Sequence, residues 1–129
     1  MAFNAMIRRE GYDVYRKIDP TLRPFTRLTT YDHRIKTFNN KEMNYPISIV
    51  TLAEASFYSI GKYDYVQCFR CDGILGDWEK NDIPWLEHFK WFPGCYFIRD
   101  NKWTINKYRK YNPNYYQFNC WDILYFLTY

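Results

Sequence analysis

Four residues constrain this chain more than any others. Cys68 and Cys71 stand with two residues between them, His88 follows after sixteen residues, and Cys95 after six more. Three thiolates and one imidazole form a donor set that holds structural zinc as a closed tetrahedron, with no open position for water or substrate. The alternative is oxidation, since four cysteines in a secreted chain suggest two disulfides. The first 20 residues hold Arg8, Arg9, Glu10 and Asp13 where a signal peptide would be apolar, so a reducing compartment is expected, and with it metal. A plainer reading of the same residues is a carbonyl-bonded core histidine beside small buried thiols.

The local sequence suits the metal reading. Residues 63–69, YDYVQCF, are aromatic and β-branched and predict a strand ending at Cys68. Asp72-Gly73 supplies a tight turn before a second strand, ILGDW, at 74–78. Asp82 is an N-cap candidate and Pro84 suits a first helical turn. The run WLEHFKWF then places Trp85, His88 and Trp91 or Phe92 on one helical face until Pro93. His88 is expected to point inward, and Gly94 to turn Cys95 back to the metal. Upstream, TLAEASFYSIG predicts a helix over 51–61, with Thr51 and Glu54 as a capping box and Gly61 as its stop. Metal binding would contribute about 10 kcal/mol or more of folding free energy.

Length and composition bound the rest. A chain of 129 residues with 47% apolar and 22% aromatic residues is expected to fold as one domain with extensions. The net charge of +4 is spread among 14 carboxylates, which argues against a phosphate-binding stripe. The densest basic stretch, NKWTINKYRKY at 101–111, mixes Lys102, Lys107, Arg109 and Lys110 with Trp103, Tyr108 and Tyr111. It reads as an amphipathic segment packing its rings on the domain, or as a single-stranded nucleic-acid surface. No apolar run is long enough to span a bilayer, and the tail WDILYFLTY, 121–129, is expected to pack on the domain or on a partner.

Together RIKTF (34–38), LAEASFYSIG (52–61) and DYVQCFRCDGILGDWEKNDIPWLEHFKWFPGCYFI (64–98), with the Cys-Cys-His-Cys spacing, resemble a baculovirus inhibitor-of-apoptosis repeat, the BIR domain. The resemblance covers over half of the chain and includes Arg34, Phe38, Leu52, Ala53, Phe57, Gly61, Asp64, Trp78, Pro84, Trp85, Lys90, Trp91 and Pro93. It implies an α+β fold, a three-stranded antiparallel sheet surrounded by short helices around one Zn2+. The implied division is a leader at 1–30, the zinc domain at 31–100 and an aromatic extension at 101–129.

The function so implied is binding rather than catalysis. In the family a groove beside the third strand receives a peptide with a free N-terminal alanine, exposed by processed caspases and by cell-death antagonists. The peptide adds as a further strand. By resemblance the pairing edge runs from Ile74 through Leu75 and Gly76 to Trp78. Asp82 and Glu87 would hold the peptide ammonium, Leu75 and Trp78 would wall the alanine pocket, and Trp91 and Phe92 would form the platform for the third residue. Singly, these residues have plainer roles: Asp82 as a cap, Trp85 and Trp91 as core. Two departures stand out. Ile74 replaces a usual second glycine, with a glycine displaced to Gly76, and the tryptophan-proline pair usual after RIKTF is missing, where Tyr45 or Pro46 would compensate.

The expectation is therefore a cytoplasmic, viral, single-repeat inhibitor of apoptosis that captures caspases or antagonists, or pairs with a larger host or viral inhibitor. After Cys95 only Cys120 remains as a thiol and no histidine follows, so no RING zinc module and no ligase activity are expected. A survivin-like scaffold binding a histone tail is the family alternative, weakened by Pro113 in the tail, and a zinc-stabilised nucleic-acid binder is the alternative outside it. No enzyme site is expected from His33 and Cys120. Ala2-Phe3-Asn4, exposed by loss of Met1, would offer an alanine terminus to the groove of a second copy.

Overall fold

In a computed structural model of the chain, residues 3–4, 28–39 and 45–115 are described. Most of the leader, Cys120 and the 121–129 tail lie outside them. Two short strands, β3 (Val66–Cys68) and β4 (Ile74–Gly76), pair antiparallel with Val66 opposite Leu75 and Gln67 opposite Ile74. The chain reverses between them through Asp72, whose φ of 62° is left-handed. This is the expected knuckle, with strands shorter than the sequence suggests. β4 stops at Gly76 because Asp77 turns left-handed at φ 56°, and the Asp64 carboxylate accepts the amides of Asp77 and Trp78 at 2.9 and 2.7 Å.

The third strand of the sheet, β2 (Phe57–Ser59), lies on the far side of β3, with Phe57 opposite Cys68. Here the structure corrects the predicted 51–61 helix. Helix α2 covers only Ile49–Glu54, and its cap is Ser48, whose Oγ accepts from the Thr51 amide at 3.4 Å. Ser56 adopts φ 83° and breaks the helix, and its carbonyl accepts the Phe69 amide at 3.3 Å. Pairing with β3 thus overrides the helical pattern, and the left-handed Gly61 serves the following turn instead. On the open edge of β4 lies a strand of two residues, β1 (Phe3–Asn4), with Phe3 opposite Gly76 and Asn4 opposite Leu75. The sheet order is β1-β4-β3-β2, so the three-stranded sheet carries one added edge strand.

Helices close around the sheet. The first, α1 (Tyr31–Lys36), is capped by Thr30 and buries Arg34. Arg34 Nε donates to the Ala53 carbonyl at 2.9 Å and Nη1 to that of Leu28 at 3.1 Å, while its guanidinium lies 4.9 Å from the Phe69 ring centre. Carbonyls and a ring face thus satisfy this buried cation and hold the end of α2 in place. Tyr45, one of the two residues expected to compensate for the missing tryptophan-proline pair, meets Phe38 edge-on at 5.2 Å, and its hydroxyl donates to Ser59 Oγ at 2.9 Å.

Helix α3 (Pro84–Trp91) begins with Pro84 in its first turn, and Ile83, not Asp82, occupies the cap position. Asp82 instead closes a preceding turn, its Oδ2 accepting the Glu79 amide at 2.8 Å. The short α4 (Tyr96–Asp100) and the longer α5 (Lys102–Tyr111) follow. Ile98 and Ile105 drop into one core with Phe57, Val66, Leu75, Leu86 and Phe89. In α5 Tyr108 packs against that core, whereas Trp103 is 75% exposed and Tyr111 69%. The stretch therefore packs only part of its aromatic surface.

Candidate functional site

Two polar clusters meet at α3, at the adjacent residues Glu87 and His88. The first joins the knuckle, α3 and the turn before α4. The ligand atoms of Cys68, Cys71, His88 and Cys95 all lie within 4.8 Å of one another, and none of these cysteines forms a disulfide. Cys68 and Cys95 sulfurs are 3.8 Å apart, and Cys71 Sγ is 3.7 Å from His88 Nε2. Two sulfurs on one tetrahedral zinc, with bonds of about 2.3 Å, would lie about 3.8 Å apart.

The surroundings prepare the donors. His88 is fully buried, and its Nδ1 lies 2.9 Å from the Ala55 carbonyl, which fixes the proton there and leaves Nε2 toward the thiols. Cys68 Sγ accepts from Ser56 Oγ at 3.0 Å and from the Arg70 amide at 3.2 Å, and Cys71 Sγ from the Gly73 amide at 3.4 Å. Without a cation the thiols cannot all ionise. Burial opposes ionisation of Cys68, but contacts with Cys71, Cys95 and His88 outweigh it and lower its pKa, whereas Cys68, Cys95 and burial together raise that of Cys71. Burial works against a charged His88, yet the Cys68 and Cys95 sulfurs pull it up to about 10. Such a charge set fits one metal dication, held by these four residues.

The second cluster is the acidic pair, Asp82 and Glu87, considered with the other residues expected to form the groove. Ile74 and Leu75 of β4 are fully buried, and Leu75 belongs to the central core. Gly76 leaves room for the buried Tyr65 ring, against which any Cβ would collide. The Trp78 ring meets Phe57 edge-on at 6.0 Å, and its Nε1 has no hydrogen-bond partner among the described residues. Trp91 is half-buried with the Lys90 ammonium 5.1 Å from its ring centre. Phe92 packs over Gly73, where a Cβ would come within 2.5 Å of its ring, and stands edge-on to His88 at 6.3 Å, so its place is beside the knuckle.

The acidic pair is nearly hidden from water, Asp82 8% exposed and Glu87 not at all. Burial raises the Glu87 carboxyl above its ordinary value and the Asp82 charge adds to the rise, while a hydrogen bond from Tyr115 opposes it. The Tyr115 hydroxyl donates to Glu87 Oε2 at 2.8 Å and accepts the Ile83 amide at 2.8 Å. Glu87 Oε1 is buried and has no hydrogen-bond partner among the described residues. Sequence reasoning missed Tyr115, Ser56 and the Ala55 carbonyl. A tyrosine in the polar run NPNYY gives no periodic or spacing signal, and a backbone acceptor carries none in any sequence.

The chain is similar to known proteins. Residues 27–99 match the family model of the BIR, the Inhibitor of Apoptosis domain. A chicken (Gallus gallus) inhibitor of apoptosis protein is 46% identical over 71 residues, 55% of this chain and 12% of that protein. The human baculoviral IAP repeat-containing protein 8 is 41% identical over 75 residues, 58% of this chain and 31% of that one. The chain thus spans less than a third of either relative. Among solved structures, DIAP1 BIR1 bound to a Grim peptide matches with a TM-score of 0.52 at 28% identity, over 62% of this chain and 90% of that one. An autoinhibited DIAP1 BIR1 domain matches at 0.54 and 28%, over 65% and 94%. With its four metal donors gathered and the family matched over more than half its length, the chain belongs to the BIR family of inhibitor-of-apoptosis domains.

Proposed function

We propose that this chain inhibits apoptosis by stoichiometric capture of peptides with a free N-terminal alanine, those of caspases or of their antagonists, at the β4 edge. The observation that carries the reading is the buried Asp82–Glu87 pair, with a Glu87 oxygen lacking a hydrogen-bond partner among the described residues. The Lys90 charge already favours an ionised Glu87, and a peptide ammonium would add a second cation with three donors. A second support is β1, since an extended segment already pairs with Leu75 and Gly76 as an incoming peptide would. That pairing, at Leu75 and Gly76, supports an edge that Ile74 leaves accessible to a strand. β1 also makes peptide and leader competitors for one edge, a reading in line with the autoinhibited DIAP1 neighbour. The segment engaged is the one the sequence offered to a second copy, but it sits on its own chain.

On this reading one Zn2+ occupies Cys68, Cys71, His88 and Cys95 and has a structural role, with no open position for chemistry. The domain at 31–100 binds, and the leader and extension modulate it. The activity belongs in the cytoplasm, where a processed caspase or a larger inhibitor is met. No helix among the described residues is long and apolar enough to cross a membrane. The test is a fluorescence titration of the zinc-loaded chain with the peptide Ala-Val-Pro-Phe, beside the same peptide N-acetylated. Saturable binding of the free peptide, much tighter than that of the acetylated one and lost in Trp91→Ala, is expected. Equal failure of both peptides on a folded chain would overturn the reading.

A further inference from the structure

The C-terminal extension reaches back to the acidic pair, and it does so from outside the family's span. The matched repeat ends at residue 99, yet α5 continues from Lys102 to Tyr111 and packs along α3. Ile105 anchors it in the core. Beyond its end, Asn112 Nδ2 donates to the Tyr108 carbonyl at 2.9 Å, and the Asn112 carbonyl accepts the Tyr115 amide at 3.1 Å. These contacts set Tyr115 at the start of α3, between the Ile83 amide and the Glu87 carboxylate.

We propose that Tyr115 is a positioning residue of the peptide groove, holding Glu87 by one oxygen so that the other is presented to the incoming ammonium. The proposal rests on the reading of that groove as an N-terminal amine site. Its chemistry is directional. The Ile83 amide donates to the hydroxyl oxygen, so the tyrosine proton is turned to Glu87, and a hydroxyl so placed orients an acceptor. Burial, and then the charge of Glu87 beside it, raise the Tyr115 pKa, so the group stays an O–H donor at neutral pH. Glu87 is thereby tied at Oε2 while Oε1 lacks a hydrogen-bond partner among the described residues. A glutamate without this tie would have side-chain freedom to lose on binding. The extension thus completes the ammonium subsite, and a repeat ending at residue 99 would lack this restraint.

The experiment uses the full zinc-loaded chain and two peptides, Ala-Val-Pro-Phe and its N-acetylated form. Tyr115→Phe keeps the ring and removes the hydroxyl. Affinity for the free-amine peptide is expected to fall about tenfold, as for loss of one hydrogen bond to a charged group. Affinity for the acetylated peptide should be unchanged, so the preference for a free amine shrinks. General loosening of the groove would weaken both peptides together and overturn the proposal. In the double variant Tyr115→Phe with Glu87→Gln, the loss should equal that of Glu87→Gln alone, because the hydroxyl acts only through the carboxylate. Additive losses would also overturn it. Should Tyr115→Phe not retain zinc, Glu87→Asp gives the second test: it keeps the charge but shortens the side chain away from the hydroxyl. Loss of free-peptide affinity is expected, and wild-type binding would overturn the proposal. If the wild-type chain binds neither peptide, the groove reading falls and takes this inference with it. If it binds and Tyr115→Phe binds equally well, only the inference falls.

Discussion

Adjacent residues of α3 serve two polar clusters that are satisfied in opposite ways. His88 is tied at Nδ1 to the Ala55 carbonyl, and beside its Nε2 two of the three sulfurs, those of Cys68 and Cys71, receive hydrogen bonds from Ser56, Arg70 and Gly73. Folding gathers every donor that a single ion needs. One residue earlier, Glu87 is just as deeply buried, but among the described residues only one of its oxygens receives a hydrogen bond, and a second acid, Asp82, lies near it. The first cluster suits one ion, whereas the second, on the proposed reading, accepts an ammonium from a partner. A closed polar site stabilises a fold, and on the proposed reading the acidic one selects a partner.

The largest test of that contrast is removal of the metal ligand Cys95. Cys95→Ser should abolish cooperative thermal unfolding, followed by circular dichroism, and reduce bound zinc in elemental analysis. The energy at stake is about 10 kcal/mol, comparable to the whole stability of a small domain. Chelation of the wild-type chain should do the same reversibly. A Cys95→Ser chain that still melted cooperatively near the wild-type temperature would mean that the metal cluster is not what holds the fold. The contrast with the acidic cluster would then fail.

A smaller effect is expected at the strand edge. β1 contributes only Phe3 and Asn4 to the pairing with β4, too short a strand to be stable by itself. A variant lacking residues 1–5 should bind the free-amine peptide about three to ten times more tightly, since the apparent affinity scales with the fraction of open grooves. Its melting temperature should fall only slightly. Unchanged affinity in titration calorimetry would show that the leader does not compete for this edge.

The two clusters also differed in how far the sequence revealed them. The metal donors could be read from spacing, because coordination demands particular residue types and Pro84, Pro93 and the Asp72-Gly73 turn fix where the chain reverses. The acidic pair was legible only by resemblance. Nothing local distinguishes Glu87 from a solvated helical glutamate, or Asp82 from a cap, and Asp82 does not in fact cap α3. Tyr115 was beyond reach, because its role depends on α5 folding back across α3, a long-range event with no local signature. The 51–61 helix misled for a related reason: a good capping pattern yielded to the pairing of Phe57–Ser59 with β3, which only tertiary contacts reveal.

The smallest effect belongs to the surface that the sequence made most conspicuous. Trp103 is 75% exposed on α5, with the Lys107 ammonium 5.5 Å from its ring centre, and Ile105 carries the buried face of the same helix. Removing so exposed a ring leaves no cavity and no orphaned polar group. Trp103→Ala should therefore shift stability by less than about 0.5 kcal/mol. It should also leave peptide affinity unchanged, because the subsite is reached through Tyr115, not through this face. Filter binding of single-stranded DNA and RNA across a salt series provides the counter-test. A steep salt dependence abolished by Trp103→Ala would assign α5 a nucleic-acid partner, since stacked bases and released counterions leave that signature. Weak binding that Trp103→Ala does not alter would leave α5 one task, which is to carry Tyr115 to Glu87.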